Sequence, residues 1–169
     1  MKDSLKIVTR EVTDCTKCPL YKHAQHGVPG EGPQNAKVFF IGQAPGAQED
    51  KTGHPFVGRA GKYLTKLMEE IGLHRDEVFI TSTVKHFPLK NRAPKPDEIT
   101  ACKPYLLRQL TIIKPKIVVL LGKTAEKMKD EPVLKGKKVI ITVHPSAAMR
   151  FPKMAAKIRR DFLKLKHLI

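Results

Sequence analysis

The sequence predicts a three-layer α/β/α fold built on a central, mainly parallel four-stranded sheet. Four apolar runs rich in branched residues, at 37–41, 78–84, 116–121 and 138–143, have the length and composition of buried strands. Segments whose apolar residues recur every three or four positions follow them, and this alternation closes into a parallel sheet with helices on both faces.

The elements follow in order. The Gly/Pro-rich stretch 27–33 reads as a connector from an N-terminal helix. After the first strand, Ala60, Leu64, Leu67, Met68 and Ile71 keep helical spacing, and Gly72 supplies a stop signal. After the second, Pro96-Asp97 opens a helix whose apolar face is Ile99, Cys102, Leu106, Leu110 and Ile113, and Lys114-Pro115 ends it. A short helix at 124–129 and a last one at 153–168 complete the alternation. We expect a single domain over residues 1–169, with an N-terminal arm at 1–36. In such sheets ligands sit beyond the carboxyl ends of the strands, so the loops 42–58, 85–96 and 144–152 are expected on one edge.

With 32 Lys+Arg against 16 Asp+Glu, the chain carries a formal charge of +16. Its apolar runs argue against disorder. No apolar stretch approaches the roughly 20 residues that span a bilayer, and the N-terminus has no signal-peptide core, so a membrane protein is excluded and a cytoplasmic one expected. An excess of positive charge points first to a polyanionic partner, nucleic acid, and second to a lysine-rich surface kept for solubility or heat tolerance.

Three cysteines make an odd number for a disulfide framework. Cys15-Thr-Lys-Cys18 lets two sulfurs turn toward one metal or cluster, and Pro19 stops a regular helix there. Cys102, alone on the apolar face of its helix, also fits a buried core cysteine.

Three loop motifs each allow two readings. Gly42-Gln43-Ala44-Pro45-Gly46 forms a tight turn whose amides can approach a ligand, or a plain strand-to-loop turn. Phe56, before a helix, either stacks on a planar base or staples onto that helix. His144-Pro145-Ser146 follows the final strand, where the imidazole either donates into the edge cleft or is structural.

Taken together, Gly42-Gln-Ala-Pro-Gly-x-x-Glu-Asp50, Pro55-Phe-Val-Gly-x-Ala-Gly61, Asn91-Arg-x-Pro-x-Pro-x-Glu-Ile99 with Ala101-Cys102, Pro115-Lys-x-x-Val-x-Leu-x-Gly122 and His144-Pro-Ser146 resemble, in that order, the iron–sulfur uracil-DNA glycosylases, especially family 4. The resemblance implies excision of uracil from a nucleotide flipped out of the duplex, within base-excision repair. It implies that Phe56 stacks on uracil, that the backbone of Gly42 to Ala44 contacts its edge, and that His144 donates to the carbonyl on which negative charge builds. Ser146 would hold phosphate, Met149 would wedge into the duplex or else cover the core, and Arg150 would contact a phosphate or groove.

Three residues depart from the family pattern. Gln43 stands where Glu is usual and cannot accept a proton, which leaves Glu49 or Asp50 as a base, or water attacking unaided. Ser82 stands where an Asn reads uracil, implying weaker action on uracil or acceptance of another deaminated base such as hypoxanthine or xanthine. His86 replaces the third of four cluster cysteines, so a [4Fe-4S] cluster on Cys15, Cys18, His86 and Cys102 competes with Zn²⁺ on the same four residues or with no metal. Lys85, Lys90, Arg92 and Lys95 beside the pocket, and Arg150, Lys153, Lys157, Arg159, Arg160, Lys164 and Lys166 at the chain's end, are candidate phosphate contacts. The expected partner is lesion-bearing DNA, bound by a monomer. The alternative is a non-catalytic lesion-binding or DNA-scaffolding protein on the same fold.

Overall fold

The computed structural model describes residues 2–169. Four strands, β1 (Val38–Gly42), β2 (Phe79–Ser82), β3 (Ile117–Leu121) and β4 (Lys138–Thr142), form one sheet in the order β2-β1-β3-β4. Every pairing between these strands is parallel. Among the described residues seven α-helices surround it: α1 (Leu5–Thr13), α2 (Ala47–Thr52), α3 (Arg59–Glu70), α4 (Pro96–Ile113), α5 (Lys123–Glu126), α6 (Pro145–Arg150) and α7 (Pro152–Leu168).

Alternate strand residues point to opposite faces, so the sheet sorts its side chains into two cores. Phe40, Ile80, Val119 and Leu121 pack with Leu64, Leu67 and Met68 of α3 and with Ile158, Phe162 and Leu165 of α7. Phe39, Ile41, Phe79, Val118 and Leu120 pack with Leu106, Leu110 and Ile113 of α4 and with Ala125 of α5. These are the three layers the periodicity predicts. With both faces covered, β1 and β3 are buried at every position.

The helix ends follow local chemistry. Glu98, in the first turn of α4, accepts from the Lys95 amide at 2.7 Å, and Lys114 in the left-handed region (φ 53°) closes that helix before Pro115. Two of the expected loops contain helices that sequence reading missed. Pro145 sits in the first turn of α6, and His144 caps it. Gly53, at φ 77°, terminates α2.

The connector at 27–33 lies along β2. Glu31 makes an antiparallel bridge with Ile80, and a Cβ on Gly32 would fall 2.1 Å from the Val78 carbonyl oxygen, so only glycine lets the chain run this close. The arm is held further by Val8 and Val12 of α1 against Tyr105, and by Arg108, which pairs with Asp3 at 2.8 Å and also with Glu11. Among the described residues, no helix is long and apolar enough to cross a membrane.

Candidate active site

The sheet register sets the site. Gly42 pairs with Ser82 and Leu121 with Thr142, so all four strands end together and hand their loops to one edge. A cleft of about 480 Å³ opens there, lined among others by Gln43, Ala44, Glu49, Phe56, Ser82 and His144. Residues from all three expected loops therefore meet in one place. Ser146 lies on the same wall, as do Arg59 and Asn91, to which sequence reading gave no role.

Phe56 is 7% exposed and holds φ at +48°, a left-handed conformation that costs any residue with a Cβ. Its ring faces that of His144, with centroids 5.9 Å apart and planes 28° from parallel. The two sequence readings of Phe56 merge, since one side of the ring joins the α3 core and another walls the cleft. Gly42 makes this possible, because a Cβ there would lie 2.5 Å from the Phe56 ring. The Gly42 carbonyl accepts from the Thr83 amide (2.9 Å) and hydroxyl (2.8 Å), so Gly42 serves as backing for Phe56, and the cleft begins at Gln43.

His144 Nδ1 accepts from the Ser146 amide at 3.1 Å and lies 2.7 Å from the Ser146 hydroxyl. An Nδ1 that accepts leaves the ring proton on Nε2, which makes that atom a donor. Burial lowers the imidazole's pKa to about 4, so the ring is neutral at physiological pH.

The acidic candidates separate. Glu49 lines the cleft and accepts from the Gly46 amide (3.2 Å) and the Gly58 amide (3.0 Å), tying the start of α2 to the start of α3. Asp50 is buried outside the cleft lining, where its Oδ1 accepts from the Gln25 and His26 amides at 2.8 and 3.2 Å. It therefore anchors the arm and is set aside as a base. Gln43 receives a hydrogen bond from the Thr124 hydroxyl at 3.1 Å.

Two basic candidates are corrected. Lys85 is fully buried, and its ammonium donates to Thr81, to the Ser82 carbonyl (3.0 Å) and to Gln109 (2.9 Å), out of reach of any phosphate. Burial lowers its pKa to about 7. Arg92 makes a two-pronged pair with the buried Glu98 at 2.7 and 2.9 Å, so its guanidinium braces the start of α4. Past Ser146, Met149 and Arg150 are exposed on α6, and Phe151, unmarked in the sequence, is 57% exposed. Lys157 and Lys164 pair with Asp161, and Arg159 with Glu70, whereas Arg150, Lys153, Arg160 and Lys166 have no ion pair among the described residues.

Cys18 and Cys102 share one buried apolar cluster with Leu20 and Val84, and Cys15 packs beside Tyr105. Burial raises the Cys102 thiol to about 11, opposed by the nearby Lys85 amide; burial also raises Cys18, opposed by the nearby Leu20 amide. His86 is buried near Asp50, with its pKa lowered by burial. Among the described residues no three His, Cys, Asp or Glu side chains stand in metal-ligating geometry. The donor set itself, with Cys18 and Cys102 in one buried cluster and Cys15 close to it, suits a soft metal group once the side chains turn together.

Comparison with known proteins gives a consistent result. The model of the Uracil DNA glycosylase superfamily matches residues 29–166. The chain is similar to the Type-4 uracil-DNA glycosylases of Sulfurisphaera tokodaii (44% identical, covering 98% of this chain and 85% of that one) and Saccharolobus solfataricus (43%, covering 99% and 87%). It is also similar to the Type-4 uracil-DNA glycosylase of Thermotoga maritima (43%, covering 88% and 85%).

Proposed function

We propose, from a chain that belongs to the uracil-DNA glycosylase superfamily, that the cleft at the sheet edge receives a uracil flipped out of DNA and cleaves its N-glycosidic bond. The protein is a DNA glycosylase of base-excision repair. The observation that carries the site assignment is the meeting of Phe56 and a neutral His144 across one cleft at 5.9 Å, with Gln43 and Ser82 on the same walls.

The chemistry follows from what each group can do. A flipped base loses its stacking partners, and the Phe56 ring replaces one of them. As the bond breaks, the electron pair stays with uracil, and the Nε2 proton of His144 is the donor for the oxygen that gains charge. Water then adds to the sugar carbon and gives up a proton. Gln43 holds or orients but accepts no proton. Glu49 is the carboxylate on the cleft wall, and an electrophilic sugar also captures water without a base.

Uracil-containing oligonucleotides should become alkali-labile on incubation with the protein. Binding without alkali-labile sites would favour the non-catalytic alternative. Ser82 offers one hydroxyl where an amide would offer donor and acceptor together. Ser82→Asn should therefore raise the rate on uracil, measured beside hypoxanthine and xanthine substrates; no change would remove residue 82 from base choice.

Exposed Arg150, Lys153, Arg160 and Lys166 supply the phosphate contacts, with Ser146 at the cleft and Met149 as wedge, on a protein that acts as a monomer. Four such contacts reduce DNA affinity by roughly 10²-fold between about 50 and 200 mM salt. Titrations that stay flat over that range would remove these residues from the interface.

Cys15, Cys18, Cys102 and His86 are the residues that would hold a [4Fe-4S] cluster, whose role is structural, joining the arm to β2 and α4. What supports this is the donor set and the burial of Cys18 and Cys102 in one cluster with Cys15 near it. Anaerobically purified protein is expected to be brown and to contain iron and sulfide; colourless protein containing zinc would replace the cluster with a Cys₃His zinc site.

A further inference from the structure

Arg75 stands in a single 3₁₀ turn ahead of β2 and does not line the cleft, yet it grips the residue that does. Its Nη1 donates to the Phe56 carbonyl at 2.6 Å and its Nη2 to the Pro55 carbonyl. The same guanidinium reaches Thr65 of α3 at 3.3 Å and Glu31 of the arm at 3.3 Å. Glu31 in turn holds His54 at 3.0 Å, so both ends of the loop before Phe56 are tied to one ion pair. The grip falls where the backbone is least willing, because Phe56 has φ +48° without being glycine.

We propose that Arg75 is a positioning residue for uracil excision: by clamping two successive carbonyls it keeps Phe56 in its left-handed conformation, with the ring held over Gly42 and opposite His144. The fork of a guanidinium matches this task, since two nitrogens serve two carbonyls while their outer faces reach Thr65 and Glu31. A lysine ammonium has one nitrogen and no fixed plane. Without the clamp the peptide relaxes to negative φ, the ring swings out of the cleft wall, and the base loses its stacking surface. This inference rests on the assignment of Phe56 as the stacking ring.

The test uses the full chain with Arg75→Ala, Arg75→Lys and Phe56→Ala. Single-turnover uracil release by Arg75→Ala should fall roughly 10- to 100-fold, in proportion to a misplaced reacting base. Affinity for undamaged duplex should stay within twofold, because no phosphate contact is touched. Arg75→Lys should recover thermal stability more fully than rate, and it serves in place of the alanine variant should that one fail to fold. In the Phe56→Ala background the Arg75 substitution should change the rate less than twofold. An Arg75 effect undiminished in that background, or a variant as fast as the parent, overturns the proposal. A second readout needs no activity: nuclear Overhauser contacts between the Phe56 and His144 rings should vanish in Arg75→Ala. Unchanged contacts sink the positioning role, whereas a parent protein that has the contacts but releases no uracil sinks the glycosylase assignment alone.

Discussion

Replacing His144 with alanine lowers the rate of uracil release by about 10²- to 10³-fold, the usual loss when a preorganised donor to a developing anion is removed. Binding of uracil-containing DNA changes far less, since charge on the base is small before the bond breaks. The pH dependence carries a second signature. Burial holds the pKa near 4, and Nδ1 is occupied as an acceptor, so the ring stays neutral with its proton on Nε2 from about pH 5 upward. The rate should show no inflection near the ordinary histidine value of 6.5. Stability follows with a definite sign. The folded pKa lies below the unfolded one, so on acidification the unfolded chain takes up the proton first. The contribution of His144 is complete above about pH 6.5 and is lost as pH falls toward 4. Rate profiles of the parent and His144→Ala, with an NMR titration of the ring, check both. An inflection near 6.5 that disappears in the variant would mean that the imidazole works as a titrating acid or base.

Gly61→Ala should slow the enzyme and weaken the fold together. Alanine inside a helix is ordinarily about 1 kcal/mol better than glycine. Here a Cβ would fall 1.9 Å from the Phe56 carbonyl oxygen and 2.0 Å from its carbon, so backbone meets side chain with no rotamer to escape into. Either α3 retreats or the peptide of Phe56 moves, and overpacking of this kind costs about 1–3 kcal/mol. For a chain of this size that is roughly 2–10 °C in Tm. The displaced Phe56 should cost about 10²-fold in excision rate, as for other small misplacements of a reacting group. Gly42→Ala makes a useful contrast, because its clash is with the Phe56 ring, which can rotate away. It should lose rate with a smaller loss of Tm. Calorimetry beside single-turnover assays separates the two, and a fully active Gly61→Ala protein would show that the Phe56 backbone position is dispensable.

What could be read from the chain, and what could not, divides by range. The strands and α3, α4 and α7 announce themselves because branched runs and a 3.6-residue repeat are local and are satisfied by any sheet that buries both faces. The six-residue helices α2 and α6 are too short for a repeat to register, so their sequences read as loop although Gly46 and Pro145 are sound helix starts. Gln43, Phe56 and His144 were legible as cleft residues because topology sends the ends of parallel strands to one edge. Lys85 was not, because its burial depends on Gln109 arriving from α4 to take its ammonium. Asp50 failed for a like reason, since its partners are amides some 25 residues earlier in the arm. Arg75 leaves no sequence signal, because two of its partners are main-chain carbonyls, which any residue type would supply, and its acidic partner Glu31 lies 44 residues earlier in the arm.

The bridge between Glu31 and Ile80 pairs the outer side of β2 at its middle, and the Glu31 side chain reaches Arg75. One residue thus meets a strand edge with its backbone and the loop that carries Phe56 with its carboxylate. Peeling the arm from the sheet would unpair the Ile80 amide and carbonyl on an edge strand, the kind of template on which chains aggregate. The same event would take Glu31 from the Arg75 clamp, so colloidal failure and loss of base capture share one unlatching step.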